Sequence, residues 1–244
     1  MGEDPGLGRM AKRTWTLRRY ASESRTLGNS ALLTAPIVLG YEVGLLFLGE
    51  RGIRNAADAL IDHGLTAFGS PVAIVVNLLV LAGFVTFALT SAPRKATPIG
   101  LFVPVVLESA LYACMLAPAL MSISRRMIAP QEPLGPLDGL VLSLGAGFYE
   151  ELVFRLGAIG GGFLLFKRVF GVTSGWAALC LIVVSAAAFS MFHHVGPGAE
   201  PFTVSVALMR FVAGLLLGAL FVLRGFGVVC YTHVIYDLLC LSGR

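Results

Sequence analysis

Long, continuously apolar runs separated by short polar connections dominate the chain. A spanning helix needs about 20 mostly apolar residues, because the hydrocarbon core is about 30 Å thick and each residue rises about 1.5 Å. That ruler predicts about seven spans, near 31 to 49, 71 to 92, 98 to 122, 137 to 165, 174 to 194, 202 to 223 and 226 to 242. A lipid-facing barrel would alternate apolar and polar positions in segments of about ten residues, and these runs do not alternate. Helices, which satisfy their own backbone hydrogen bonds, are the spanning element that remains. The expected fold is all-α, a polytopic transmembrane bundle.

Composition agrees with the pattern. Of 244 residues, 57% are hydrophobic and 13% charged, and the mean hydropathy is +0.84. A soluble domain needs a far more polar surface than that allows. Segment 1–30 is polar and basic, with Arg9, Lys12, Arg13, Arg18, Arg19 and Arg25 against Glu3, Asp4 and Glu23. The positive-inside rule therefore predicts a cytoplasmic N-terminus and an integral protein of the plasma (inner) membrane. The first apolar run is long enough to span and is followed by no small-residue cleavage site, so it reads as a retained helix. The net charge of +4 follows from these flanking bases and calls for no nucleic-acid partner. Cys114, Cys180, Cys230 and Cys240 fall inside predicted spans without metal-ligand spacing and read as small buried apolar residues.

No internal repeat is visible. The predicted organisation is a basic segment 1–30, N-terminal helices over 31–122 with an amphipathic interfacial segment near 50–69, and a functional core over 137–242. Pro130, Pro133 and Gly135, within the stretch 125–135, mark the boundary of that core.

Ionisable residues inside spans are costly and ordinarily face a bundle interior or a wet cavity. The densest set lies in three of the last four spans: Glu150, Glu151 and Arg155, then His193 and His194, then His233 and Asp237. Glu151 and Arg155, four apart, share a helix face and can pair, whereas Glu150 points about 100° away and is free to act as a base. His233 and Asp237 are also four apart, so the carboxylate can hold the imidazole in one tautomer. Phe189 lies one turn before His193 and can pack beneath it. Helical phase does not decide between His193 and His194. Glu42 and Glu108 in the N-terminal spans, and Arg210 in the sixth, read as structural partners, Arg210 pairing with one of the acids or meeting a substrate carboxylate.

Glu150-Glu151-Leu-Val-Phe-Arg155 resembles the EExxxR motif of CPBP (CaaX-processing and bacteriocin-processing) intramembrane proteases. Phe189-Ser-Met-Phe-His193 resembles their FxxxH motif, and His233-Val-Ile-Tyr-Asp237 their HxxxN or HxxxD motif. The resemblance covers about residues 137 to 242. It implies an endopeptidase acting on a membrane-anchored or lipidated protein or peptide, of the CaaX or C-terminal-tail type. Glu150 would activate water with His193, His233 and Asp237 would lie near the developing oxyanion, and Glu151 and Arg155 would support the site. Two departures stand out: Leu156 intervenes before Gly157, and Asp237 occupies a position that is Asn in the prenyl-protein branch. The donors also match a catalytic zinc set of Glu150, His193 and His233. The metal-free glutamate mechanism is the one expected, without a cofactor, and zinc is its alternative. Two other functions fit a polar chain across helices: an ion-coupled transporter or proton relay, and an inert immunity or scaffold relative.

Overall fold

The computed structural model describes residues 16–48, 54–66, 98–124, 135–171, 173–195, 199 and 201–242, with positions 69, 75, 79, 82–84, 86, 87, 90 and 91 between them. Among these residues there is no strand, and the fold is an all-α bundle. The helices are α1 (Leu17–Ser24), α2 (Leu27–Leu48), α3 (Ala56–Thr66), α4 (Pro98–Ser124), α5 (Pro136–Gly145), α6 (Gly162–Phe170), α7 (Gly175–Phe192), α8 (Val204–Arg224) and α9 (Phe226–Ser242). Between α5 and α6 the chain stays helical in two π segments, π1 (Ala146–Glu150) and π2 (Leu152–Gly161).

Among the described residues, four helical stretches are long and apolar enough to cross a membrane: Leu27–Leu48, Gly100–Leu120, Gly175–Phe192 and Val204–Arg224. They coincide with the first, third, fifth and sixth predicted spans. The fourth predicted span is the mixed α and π rod from 136 to 170, and the seventh is the shorter apolar helix α9. The span predicted near 71 to 92 falls mostly outside the described residues, as do residues 1–15 and the boundary stretch 125–134.

Helix ends follow local chemistry. The hydroxyls of Thr16, Ser174 and Thr203 accept from the backbone N–H groups of Arg19, Ala177 and Val206 and so cap α1, α7 and α8. α8 stops at Gly225, whose φ of +88° is a conformation that a side chain rarely tolerates. That turn sends α9 back through the middle of the bundle, against α2, α4, α5, π1 and α8.

The exterior carries many large apolar side chains. Leu46 is 82% exposed and Phe47 77%, and Leu107, Leu111, Trp176 and Val184 also point outward. Such a surface is stable in acyl chains and not in water. Two of the four cysteines, Cys114 and Cys180, belong to this outer surface, while Cys230 is buried. The expectation that all four are buried is therefore corrected: in lipid a thiol need not be interior to avoid water. All four are free thiols.

Inside, hydroxyls tie helix to helix by donating to backbone carbonyls. Ser109 reaches Val228 O at 3.0 Å, Tyr231 reaches Leu33 O at 2.8 Å and Ser190 reaches Ala207 O at 2.7 Å. Such bonds contribute roughly 0.6 kcal/mol each in a bilayer, so several are needed to fix one arrangement. A further polar knot pins α1 to the bundle. Glu108 accepts from Arg224 at 2.5 and 2.8 Å, from Tyr20 at 2.5 Å and from Tyr112 at 3.0 Å. Glu42 accepts from Tyr149 at 2.8 Å, so both N-terminal carboxylates are engaged in helix packing.

The segment near 50–69 contains α3, which turns part of its polar side inward. Asn55 and Asp58 are buried, and α3 packs on π1, while Leu60 remains 60% exposed.

Candidate active site

The site begins with the π segments. A π turn is wider than an α turn and shifts every following side chain around the axis, which is why such turns recur at functional sites. Here they carry Glu150, the intervening Glu151 and Arg155. Close approach to α9 is made at Gly147: a Cβ there would collide with Val234 and come within 3.0 Å of the Cys230 carbonyl. Only glycine lets the two backbones meet so closely, and this contact brings the two glutamates beside His233.

Glu151 is fully buried and Arg155 is 1% exposed. Arg155 Nη1 lies 3.1 Å from Glu151 Oε1, and its guanidinium stacks 4.4 Å over the Phe189 ring. No Arg155 nitrogen makes an aligned hydrogen bond, so the cation is held by the carboxylate charge and the ring face. The same Glu151 oxygen accepts from His233 Nδ1 at 2.7 Å. This corrects the expectation that Asp237 holds the His233 imidazole. Asp237 Oδ2 is 3.7 Å from the other nitrogen, Nε2, whereas the π segments deliver Glu151 directly to Nδ1.

His193 caps the C-terminus of α7, and its Nδ1–H donates to the Phe189 carbonyl at 2.9 Å. A carbonyl only accepts, so the proton is on Nδ1 and Nε2 points elsewhere. It faces Glu150, 3.8 Å from Oε2. His233 Nε2 stands 3.9 Å from the same oxygen. Phe189 lies beneath His193, with ring centroids 4.8 Å apart, and its edge also approaches His233. His194 turns away and packs on Phe202 at 5.1 Å. Glu150, Glu151, Arg155, His193, His233 and Asp237 thus converge on one buried pocket between π1, α7 and α9.

Asn55 is a site residue that the sequence reading missed. Its Nδ2 donates to Glu150 Oε1 at 2.9 Å, while its Oδ1 accepts from Ala57 N at 2.9 Å and caps α3. Its backbone N–H donates to Tyr41 Oη at 3.2 Å, and that hydroxyl donates to Asp58 at 2.8 Å. The only sequence signal is an ordinary N-cap pattern, Asn55-Ala-Ala-Asp58. Arg210 on α8 also borders the pocket, close enough to Glu150 and Asp237 to act electrostatically on both.

As a metal centre the pocket is wide. Tetrahedral zinc with bonds of about 2.0–2.1 Å holds its donors about 3.4 Å apart, and the gaps here are 3.8 and 3.9 Å. Among the described residues no group of three His, Cys, Asp or Glu side chains is spaced to hold a metal ion.

Residues 132–239 match a family model described as type II CAAX prenyl endopeptidase Rce1-like. All seven motif residues lie within the matched stretch, so the likeness to CPBP intramembrane proteases, read from three short motifs, extends across the C-terminal region. The match covers less than half of the chain and is a likeness to CAAX-type intramembrane proteases, and the long apolar helices make this an integral membrane protein. No curated protein and no solved structure matches the chain.

Proposed function

We propose that the protein is an intramembrane glutamic endopeptidase that hydrolyses a peptide bond in a membrane-associated protein or peptide, of the CaaX or C-terminal-tail type. The observation that carries this reading is the shared focus of the two imidazoles. Each Nδ1 proton is committed, to Glu151 or to the Phe189 carbonyl, and both Nε2 atoms address Glu150 Oε2 from 3.8 and 3.9 Å.

Those separations exceed a direct hydrogen bond and suit one bound by water. Glu150 is the general base: it takes a proton from the water as the oxygen attacks the scissile carbonyl carbon. His193 Nε2 accepts a hydrogen bond from the second O–H of the water and fixes its orientation. Asn55 holds the other Glu150 oxygen and keeps the reactive one turned to the water. As the carbonyl oxygen becomes an oxyanion, His233 in its protonated form donates from Nε2, its charge balanced by Glu151 and Asp237. The tetrahedral intermediate collapses with cleavage of the C–N bond. Glu150 returns its proton to the leaving amine, so the cycle consumes one water and needs no other reactant. Arg155 holds Glu151 in place. In this reading no cofactor takes part; were zinc to bind, Glu150, His193 and His233 would be its ligands and it would supply an acidified water.

The test compares the termini of membrane proteins in cells carrying the wild-type chain and in cells carrying Glu150→Ala. Unprocessed termini should accumulate in the variant, with equal amounts of protein in the membrane. Full processing by Glu150→Ala or by His193→Ala overturns the proposal.

A further inference from the structure

Three carboxylates share the pocket, and their partners differ. Glu151 is matched by Arg155 and Glu150 faces the two imidazoles, while Asp237, three-quarters buried in its side chain, has His233 Nε2 at 3.7 Å. A buried carboxylate without charge compensation is costly in a bilayer.

The packing of α8 indicates where compensation comes from. Ser190 of α7 donates to Ala207 O at 2.7 Å, and a Cβ on Gly214 would lie 2.9 Å from Ala186 Cα. Positions 207 and 214 therefore face α7. Met209 and Ala213 form an apolar cluster with Leu120 of α4, against which Tyr236 of α9 also packs, so the adjoining face looks toward α4 and α9. At about 100° per residue, position 210 falls between these two faces. A side chain leaving that position starts between the α7 face and the face that meets Tyr236, and Asp237 follows Tyr236 on α9. Its electrostatic reach to Glu150, Tyr236 and Asp237 agrees with that direction.

We propose that Arg210 is the counter-ion of Asp237 and a positioning residue of the site, setting the charge balance on the open side of His233. This rests on the proteolytic reading for its catalytic consequence but not for its charge pairing. Arg210 supplies positive charge opposite Asp237, and Asp237 in turn faces His233 Nε2 at 3.7 Å, where the oxyanion develops. Removing the cation should be harmful only while the anion remains.

The experiment is a charge-compensation cycle on the full chain, purified in detergent, with Arg210→Leu, Asp237→Asn and the double variant, and with Arg210→Lys as the conservative control. Arg210→Leu should lower the melting temperature by about 5 °C or more, and adding Asp237→Asn should recover at least half of that loss. Arg210→Lys should melt within about 2 °C of wild type. In cells, the termini that distinguish wild type from Glu150→Ala should remain largely unprocessed with Arg210→Leu, and processing should return in the double variant to the level of Asp237→Asn alone. An Arg210→Leu protein that melts like wild type, or a double variant no more stable than Arg210→Leu, overturns the inference. If Glu150→Ala changes no termini, the proteolytic reading fails while the melting cycle still decides the pairing.

Discussion

His233 Nδ1 lies 2.7 Å from Glu151 Oε1, and Arg155 Nη1 lies 3.1 Å from that same oxygen. One carboxylate oxygen thus links the π segments to α9 and holds the imidazole and the guanidinium together, in surroundings where all three side chains are almost wholly buried. Removing one member of a buried ionic set costs about 3–5 kcal/mol, because the remaining charge has no solvent to turn to. Glu151→Gln should therefore unfold more readily than wild type in detergent, despite keeping an acceptor for His233. Adding Arg155→Met should restore most of the stability but not the processing, since His233 would still lack its anionic partner. A double variant as unstable as Glu151→Gln would show that the cost does not come from a stranded arginine.

The Asn55 contact makes a different prediction. Its amide serves Glu150 with one end and caps α3 with the other. Asn55→Ser keeps a capping oxygen but is too short to reach Glu150, so it should fold nearly as well as wild type and process about tenfold less. The tenfold figure corresponds to one net hydrogen bond to a charged group, about 1.4 kcal/mol. Asn55→Asp should be worse, because it sets a second carboxylate against the first. Processing rates measured at equal membrane abundance check both, and normal processing by Asn55→Asp would remove Asn55 from the site.

What the sequence made legible was the conspicuous chemistry. Glu150, Glu151, His193 and His233 stand out because charge and imidazole are expensive within apolar runs, and their convergence follows from helices that must bury them. The all-α bundle was legible for the same reason, since only a few elements can satisfy a backbone in lipid. Asn55 was not, because an asparagine before Ala-Ala-Asp reads as a helix cap and nothing local says that its amide reaches 95 residues along the chain. The partner of His233 was also hidden. An α-helical phase favours Asp237, four residues away, whereas the observed partner depends on the π turn and on the approach at Gly147, which regular periodicity does not encode.

Metal removal separates the two hydrolytic chemistries. If Glu150 acts as the base without zinc, purified protein dialysed against a strong chelator should cleave at an unchanged rate, and elemental analysis should find well under one zinc per chain. Activity that falls with chelation and returns with zinc would assign Glu150, His193 and His233 to the metal and displace the general-base mechanism.

The sidedness of the pocket follows from where its residues enter. Arg25 Nη2 donates to Val222 O at 2.9 Å, and Arg224 reaches Ser24 at 3.2 Å, so α1, the start of α2 and the end of α8 share one end of the bundle. Gly160 lies against Phe221, which sends Lys167 and Arg168 of α6 toward that end as well. Among the described residues this end carries Arg18, Arg19, Arg25, Lys167 and Arg168 against Glu23, whereas the opposite end carries Arg54 with Asp58 and Asp138. The positive-inside rule predicts that the first end faces the cytoplasm. Asn55 and His193 both enter the pocket from connections or helix ends at the other face, so the pocket should open away from the cytoplasm. In intact cells a membrane-impermeant maleimide should label Val195→Cys, which is 70% exposed beside His193 and His194, and should label Arg18→Cys only after permeabilisation. The native cysteines, which lie in the helices, set the background to be subtracted. The reverse labelling pattern would turn the protein over in the membrane and give the pocket to substrates with cytoplasmic tails.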